Sequence, residues 1–176
     1  MAAYPSRWEA DVVLADGGAC QIRPIRPDDA SRLVETFHRL SAETIYRRFF
    51  TARSHLTAAE AEHFATVDHD DRVALVATVD DQVVGVARYE RLAAGDEAEV
   101  AFVVEDAYQG RGIGSALLEQ LAAAARDRGI RRFVAEVLPG NRTMVAVFID
   151  AGYEVRRHYR DGVVRLTFSI QPAEQS

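Results

Sequence analysis

Apolar residues recur along this chain with two different periods, and the switches between them divide it into elements. Short apolar stretches at 11–14 and 19–25 flank Asp16-Gly17-Gly18, which reads as a hairpin turn. Arg26-Pro27-Asp28-Asp29 reads as a helix start, with proline ahead of acidic capping residues, because Ala30, Leu33, Val34, Phe37 and Leu40 follow at helical spacing. A second helical stretch runs from about Ala42 to Phe50, and Thr57-Ala58-Ala59-Glu60 has the capping-box pattern that opens a third. From Arg72 the period falls to two: Val73, Leu75, Ala77 and Val79 alternate, Asp80-Asp81 reads as a turn, and 83–89 returns as an antiparallel partner. Residues 97–104 form another strand, followed by the glycines Gly110, Gly112 and Gly114 and by an alanine- and leucine-rich helix from Ser115 to Arg128 that closes at Gly129. A strand at 133–138, a helix from Asn141 to Ala151 ended by Gly152, and a hairpin of 153–160 with 163–169 around Asp161-Gly162 complete the chain. The sum is an α+β domain with a mixed sheet.

Composition narrows the class. With 176 residues, 48% hydrophobic and 27% charged, the chain is ordinary for a globular protein, and no linker, repeat or low-complexity tract divides it, so residues 1–176 are expected to form a single domain. A chain of this size buries roughly 70% of its unfolded surface and needs no disulfide or structural metal. Cys20 is alone, and His38, His55, His63, His69 and His158 show no ligand spacing, so no metal is expected. The first ten residues lack the apolar core of a signal peptide, and no apolar run approaches the roughly 18 residues of a membrane span. A cytoplasmic protein without a membrane partner is the expectation. Against 27 acidic residues stand 21 basic ones, a net charge of -6, which argues against nucleic-acid binding and favours cationic partners. The pairs Arg47-Arg48, Arg131-Arg132 and Arg156-Arg157 read as solvated faces, and Phe49, Phe50 and Phe64 as core. Every basic residue is arginine. Without lysine a Walker A phosphate loop is excluded, and the chain has no lysine side chain of its own to be acylated.

The informative segment is Gln109-Gly110-Arg111-Gly112-Ile113-Gly114, between a strand and a helix. Glycines let a ligand approach the backbone, and the first turn of a helix offers unpaired N–H groups and the positive end of its dipole, a combination that binds phosphate. The same glycines would also serve a tight turn. A dinucleotide fingerprint does not fit, because the sixth position counted from Gly110 is Ser115 and residues 105–108 separate strand from loop.

Gln109, Gly112 and Gly114, preceded by Glu99-Val100-Ala101-Phe102-Val103-Val104 and followed by Asn141 and Ala151-Gly152-Tyr153, resemble the GNAT superfamily of N-acetyltransferases over essentially the whole chain. The resemblance implies a mostly antiparallel central sheet splayed between its fourth and fifth strands and flanked by helices, with acetyl-CoA lying between the parted strands. It further implies cofactor contacts from Val103, Glu105, Gln109, Gly110, Arg111, Gly112, Ile113, Gly114, Ser115, Asn141 and Phe148, with the diphosphate on the loop from Gln109 to Ser115.

A lysine-type amine of pKa near 10.4 arrives protonated, and freeing it at pH 7 costs about 4.6 kcal/mol. Strict alternation puts Glu99 on one strand face with Ala101 and Val103, where a desolvated carboxylate would have a raised pKa and serve as general base, directly or through water. An ordinary edge-strand glutamate is the competing reading. The resemblance likewise gives the base role to Glu99 and assigns the Val103 amide to the thioester carbonyl. Many relatives carry a tyrosine acid seven residues after the matching asparagine; here that position is Phe148, a departure from the pattern that leaves the thiolate to be protonated with help from water.

The segment Ser41-Ala42-Glu43-Thr44-Ile45-Tyr46-Arg47-Arg48-Phe49-Phe50 resembles one in GNAT domains of bacterial protein lysine acetyltransferases, which modify acyl-CoA synthetases and often carry further domains. A protein lysine, of an acyl-CoA synthetase, is the expected acceptor in a ternary complex, and this chain could be one module of something longer. Two other readings stay open: acetylation of a small-molecule amine, and a non-catalytic acyl-CoA sensor.

Overall fold

The computed structural model describes residues 3–49, 53, 55–93 and 95–172. Strands β1 (Ala10–Val13), β2 (Ala19–Pro24), β3 (Arg72–Val79), β4 (Gln82–Arg91), β5 (Glu97–Val104), β6 (Arg132–Val137), β7 (Arg156–Arg160) and β8 (Val163–Ser169) form one sheet in the order β1-β2-β3-β4-β5-β6-β8-β7. All neighbours are antiparallel except β5 and β6. Helices α1 (Ala30–Arg39), α2 (Ala42–Phe49) and α3 (Ala58–Ala65) cover one face, and α4 (Ile113–Asp127) and α5 (Arg142–Asp150) the other. No helix among the described residues is long and apolar enough to cross a membrane.

Local chemistry explains most of the connections. Asp80 and Asp81, at φ 51° and 65°, and Asp161 and Gly162, at 51° and 81°, place both central residues of their turns at positive φ, which matches the right-handed twist of a two-residue hairpin. The α4 helix ends where Gly129 turns left-handed, with the Ile130 N–H donating to the Ala125 carbonyl and that of Gly129 to Arg126. Thr57 and Glu60 close the expected capping box of α3.

The structure departs from the sequence reading in four places. Strand β3 is buried on both faces, because α1 to α3 pack on Ala74 and Val76 while α4 packs on Leu75 and Ala77; the period-two pattern of Val73, Leu75, Ala77 and Val79 marks only one of them. The α4 helix begins at Ile113, two residues before Ser115, because Gly112 at φ 91° already makes its cap. Strand β7 starts only at Arg156, since Tyr153 turns inward and packs on Phe168 with 4.9 Å between centroids. Asp29 caps as expected, accepting the Arg26 N–H at 2.8 Å, but it is also fully buried and receives both Arg23 Nη1 and Nη2, at 2.8 and 2.7 Å, a pairing that the local pattern does not show. Phe50 lies outside the described residues.

Two apolar clusters hold the layers together. The larger joins Leu117, Leu118 and Leu121 of α4 to Leu75, Phe133 and Phe168, each leucine contributing about 1.5–3 kcal/mol over exposure. The smaller packs Leu33 and Phe37 of α1 and Ala61 of α3 against Val76 and Val86.

Candidate active site

Strands β5 and β6 pair from Glu97↔Arg132 to Val100↔Ala135 and then separate, while β5 stays on β4 as far as Val104. The parting lies between the fifth and sixth strands in chain order, one later than the resemblance counts, because the short β1 comes first. A groove of about 320 Å³ fills the opening. Val100 to Val104 form one wall, Ala135 to Val137 of β6 and Met144, Val147 and Phe148 of α5 the other, and the loop closes one end.

That end is made of main chain. Gly110 and Gly112 stand at φ 78° and 91°, no side chain among the described residues caps α4, and Gly110, Gly112, Ile113, Gly114 and Ser115 all line the groove. Uncapped N–H groups at the positive end of a 15-residue helix favour an anion there. Gln109 holds the loop by donating Nε2 to the Val104 carbonyl at 2.9 Å and to Thr44 Oγ1 at 3.3 Å. Gly85 of β4 lets α4 come close: a Cβ there would meet Leu117 at 3.2 Å and Ile113 at 3.3 Å. Asn141 lines the groove while its Oδ1 accepts the Met144 N–H at 3.3 Å and caps α5. Phe148 is fully buried in the wall, 5.7 Å from Phe102 and 4.8 Å from Phe168 between centroids, and brings no hydroxyl.

The register decides which amides face the opening. The β4–β5 ladder runs without a bulge between the bonds Leu92 N–H to Glu97 O and Glu105 N–H to Val84 O. Alternation therefore turns the Val103 N–H into β4 and leaves those of Phe102 and Val104 facing the gap. This corrects the expectation for the Val103 amide, although Val103 remains part of the groove lining.

Two further expected contacts point elsewhere. Glu105 is buried against Arg39, whose Nε donates to Oε1 at 3.1 Å, and is absent from the groove lining; its Oε2 is buried without a partner among the described residues. Arg111 donates Nε to Asp16 Oδ2 at 2.7 Å and lies over the Tyr108 ring, so the β1–β2 turn holds it away from the groove.

Glu99 sits on the face of β5 toward α2, exposed and one residue short of the groove lining. Partial burial and the like charges of Glu136 and Glu90 push its carboxyl above the ordinary range, against the pull of Arg165 and Arg48. An acid so placed holds a proton more readily than a free glutamate. Sequence reasoning missed the neighbours that shape this side. Arg48, read as solvated, is half-buried and lines the groove. Its helix is anchored by Asp106, which accepts the Ser41 N–H at 2.8 Å, Ser41 Oγ at 2.7 Å and Thr44 Oγ1 at 2.9 Å. The serine-to-threonine spacing at the start of α2 was the only local signal for that anchor.

A profile of the acetyltransferase (GNAT) family matches residues 39–153. The chain is 40% identical over 126 residues to acetyltransferase Pat of Mycolicibacterium smegmatis, covering 70% of this chain and 38% of that protein. It thus spans less than two fifths of that relative's length. It is 30% identical over 148 residues to acetyltransferase PA5475 of Pseudomonas aeruginosa, 82% of this chain and 80% of that one. The crystal structure of the GNAT domain of S. lividans PAT superimposes with a TM-score of 0.90 at 52% identity, covering 95% of this chain and 99% of that one.

Proposed function

The chain belongs to the acetyltransferase (GNAT) family and is an acetyl-CoA-dependent N-acetyltransferase, and we propose that it delivers the acetyl group to a protein lysine, within an acyl-CoA synthetase. The observation that carries this reading is the opening between β5 and β6, which runs from the uncapped end of α4 to the strand bearing Glu99. These parts fit a long ligand with a diphosphate at one end and a thioester at the other. Bound acetyl-CoA supplies an activated carbonyl; everything else is the work of this chain. The N–H groups at the start of α4 hold the diphosphate, and Gln109 keeps their loop in place. The Phe102 and Val104 amides, turned into the gap, orient the pantetheine arm and receive charge that develops on the carbonyl oxygen. Glu99 accepts the proton of the incoming ammonium, directly or through a water, and its raised pKa brings it nearer to that of a working base at neutral pH. Phe148 leaves protonation of the departing thiolate to solvent.

The acidic net charge of -6 suits a cationic acceptor. Residues 1–176 act as one acetyltransferase domain in the cytoplasm, as a module comparable to the 38% of the longer mycobacterial relative that it matches. The test is Glu99→Gln, assayed for thiol release with a lysine peptide and, separately, for acetyl-CoA affinity. Loss of a general base is expected to lower kcat by about 10²–10⁴-fold while the affinity holds. Full activity in the variant removes Glu99 from the mechanism, and turnover of free small amines above that of protein lysine removes the acceptor assignment.

A further inference from the structure

Two guanidinium groups meet on the α2 side of β5 with no carboxylate paired to them among the described residues. Arg88 of β4 stands opposite Ala101 in the ladder, and Arg48 reaches in from α2. Both line a second cavity, of about 60 Å³, whose other walls include Phe37, Phe49, Phe64 and Val103. Arg88 donates Nη2 to the Phe64 carbonyl at 3.2 Å and lies 4.6 Å over the Phe64 ring; Arg48 lies 4.8 Å over Phe49. Neither forms an ion pair among the described residues, and Glu90 and Glu99 act on Arg48 only from beyond that range. Partial burial, then Arg48 and Arg72, makes the proton of Arg88 harder to hold, against the weaker pull of Glu90, as expected of a partly desolvated charge beside others of its sign.

Such an arrangement is costly in an apolar chamber unless an anion completes it. One water needs about 10–15 Å³ of such space, so the chamber has room for a carboxylate on a short stem. Planar guanidinium groups bind carboxylates well because their N–H fork matches the two oxygens. The position is also telling: Arg48, Ala101 and Val103 line both this chamber and the main groove.

We propose that Arg48 and Arg88 form a carboxylate subsite beside the transfer site, so that the favoured substrate carries a carboxylate next to its reacting atoms. The inference rests on the functional reading above for where transfer occurs. The carboxylate has two sources: an acidic residue flanking the acceptor lysine, or the free end of a dicarboxylic acyl group on coenzyme A.

Calorimetry on the whole chain separates them and does not require turnover. In one arm succinyl-CoA is compared with butyryl-CoA; in the other, an Asp-flanked lysine peptide is compared with its Asn-flanked counterpart on the protein saturated with coenzyme A. The carboxylate-bearing member is expected to bind at least tenfold more tightly in one arm, and Arg88→Gln to erase the preference. Thermal unfolding checks that this variant folds, and Arg48→Gln takes its place if it does not. Equal affinities in both arms, or a preference that survives both substitutions, overturns the subsite. A preserved preference without any transfer to lysine would instead count against the acetyltransfer reading and leave the subsite standing.

Discussion

On the α4 side of the opening, from Tyr108 to Ser115, the chain offers main-chain groups and little else; on the α2 side it offers Arg48, Arg88, Glu99 and Asp106, drawn from four separate segments. The first side is specified by residues next to each other in sequence, because a strand, two left-handed glycines and a helix start are enough to build it. The second depends on tertiary packing to bring its charges together. A backbone-built site tolerates most side-chain changes and fails when the path of the chain fails, whereas a site of gathered charges fails one partner at a time.

The largest expected effect tests how far the α2 side leans on such partners. Asp29 fixes the entry to α1 by receiving the Arg23 guanidinium in full burial. Burial by itself would raise its carboxyl, but the bonds from Arg23 and the Arg26 N–H outweigh that and lower it. Asp29→Ala leaves Arg23 buried and unpaired, which costs about 3–5 kcal/mol. Urea unfolding measures it; a loss like that of a surface substitution, about 0.5 kcal/mol, would mean that the pair is dispensable.

On the α4 side the corresponding change is Gly112→Ala. No neighbour among the described residues lies within 4 Å of a Cβ built there, so the cost is one of backbone path: a left-handed residue with a side chain loses about 1–2 kcal/mol. The methyl would also stand at the mouth of the helix, so acetyl-CoA affinity, read by calorimetry, is expected to fall at least tenfold, about 1.4 kcal/mol. Unchanged affinity would show that the diphosphate does not rest on this turn.

The same contrast explains what the sequence made legible. The order of strands and helices, the Asp161-Gly162 turn and the glycine loop follow from local rules, and the described elements fall within a few residues of the expected ones. The double-sided burial of β3 did not, because both faces of an apolar strand look alike until the covering helices are in place. The Val103 amide, Glu105 and Arg111 point away from the groove for related reasons. Which amide faces a gap depends on ladder parity, and which charge stays free depends on partners such as Arg39 and Asp16, 66 and 95 residues away in sequence.

Asp106 is where the two sides join, since it follows β5, precedes the glycine loop and anchors α2. Burial would raise its pKa, but the hydrogen bonds from the Ser41 N–H, Ser41 Oγ and Thr44 Oγ1 prevail and hold it below the ordinary 3.8. A carboxyl lowered by folding stabilises the native state above its unfolded value, and that contribution disappears as pH falls through the folded one. Wild type should therefore exceed Asp106→Asn in stability by a constant margin at neutral pH, and the two should converge below about pH 4. Because the side chain is exposed, the margin is small, no more than about 1 kcal/mol. Paired unfolding curves between pH 7 and pH 3 read it, and a margin that persists at the acid end would mean that α2 is held by its apolar contacts with Ile45 rather than by this carboxylate.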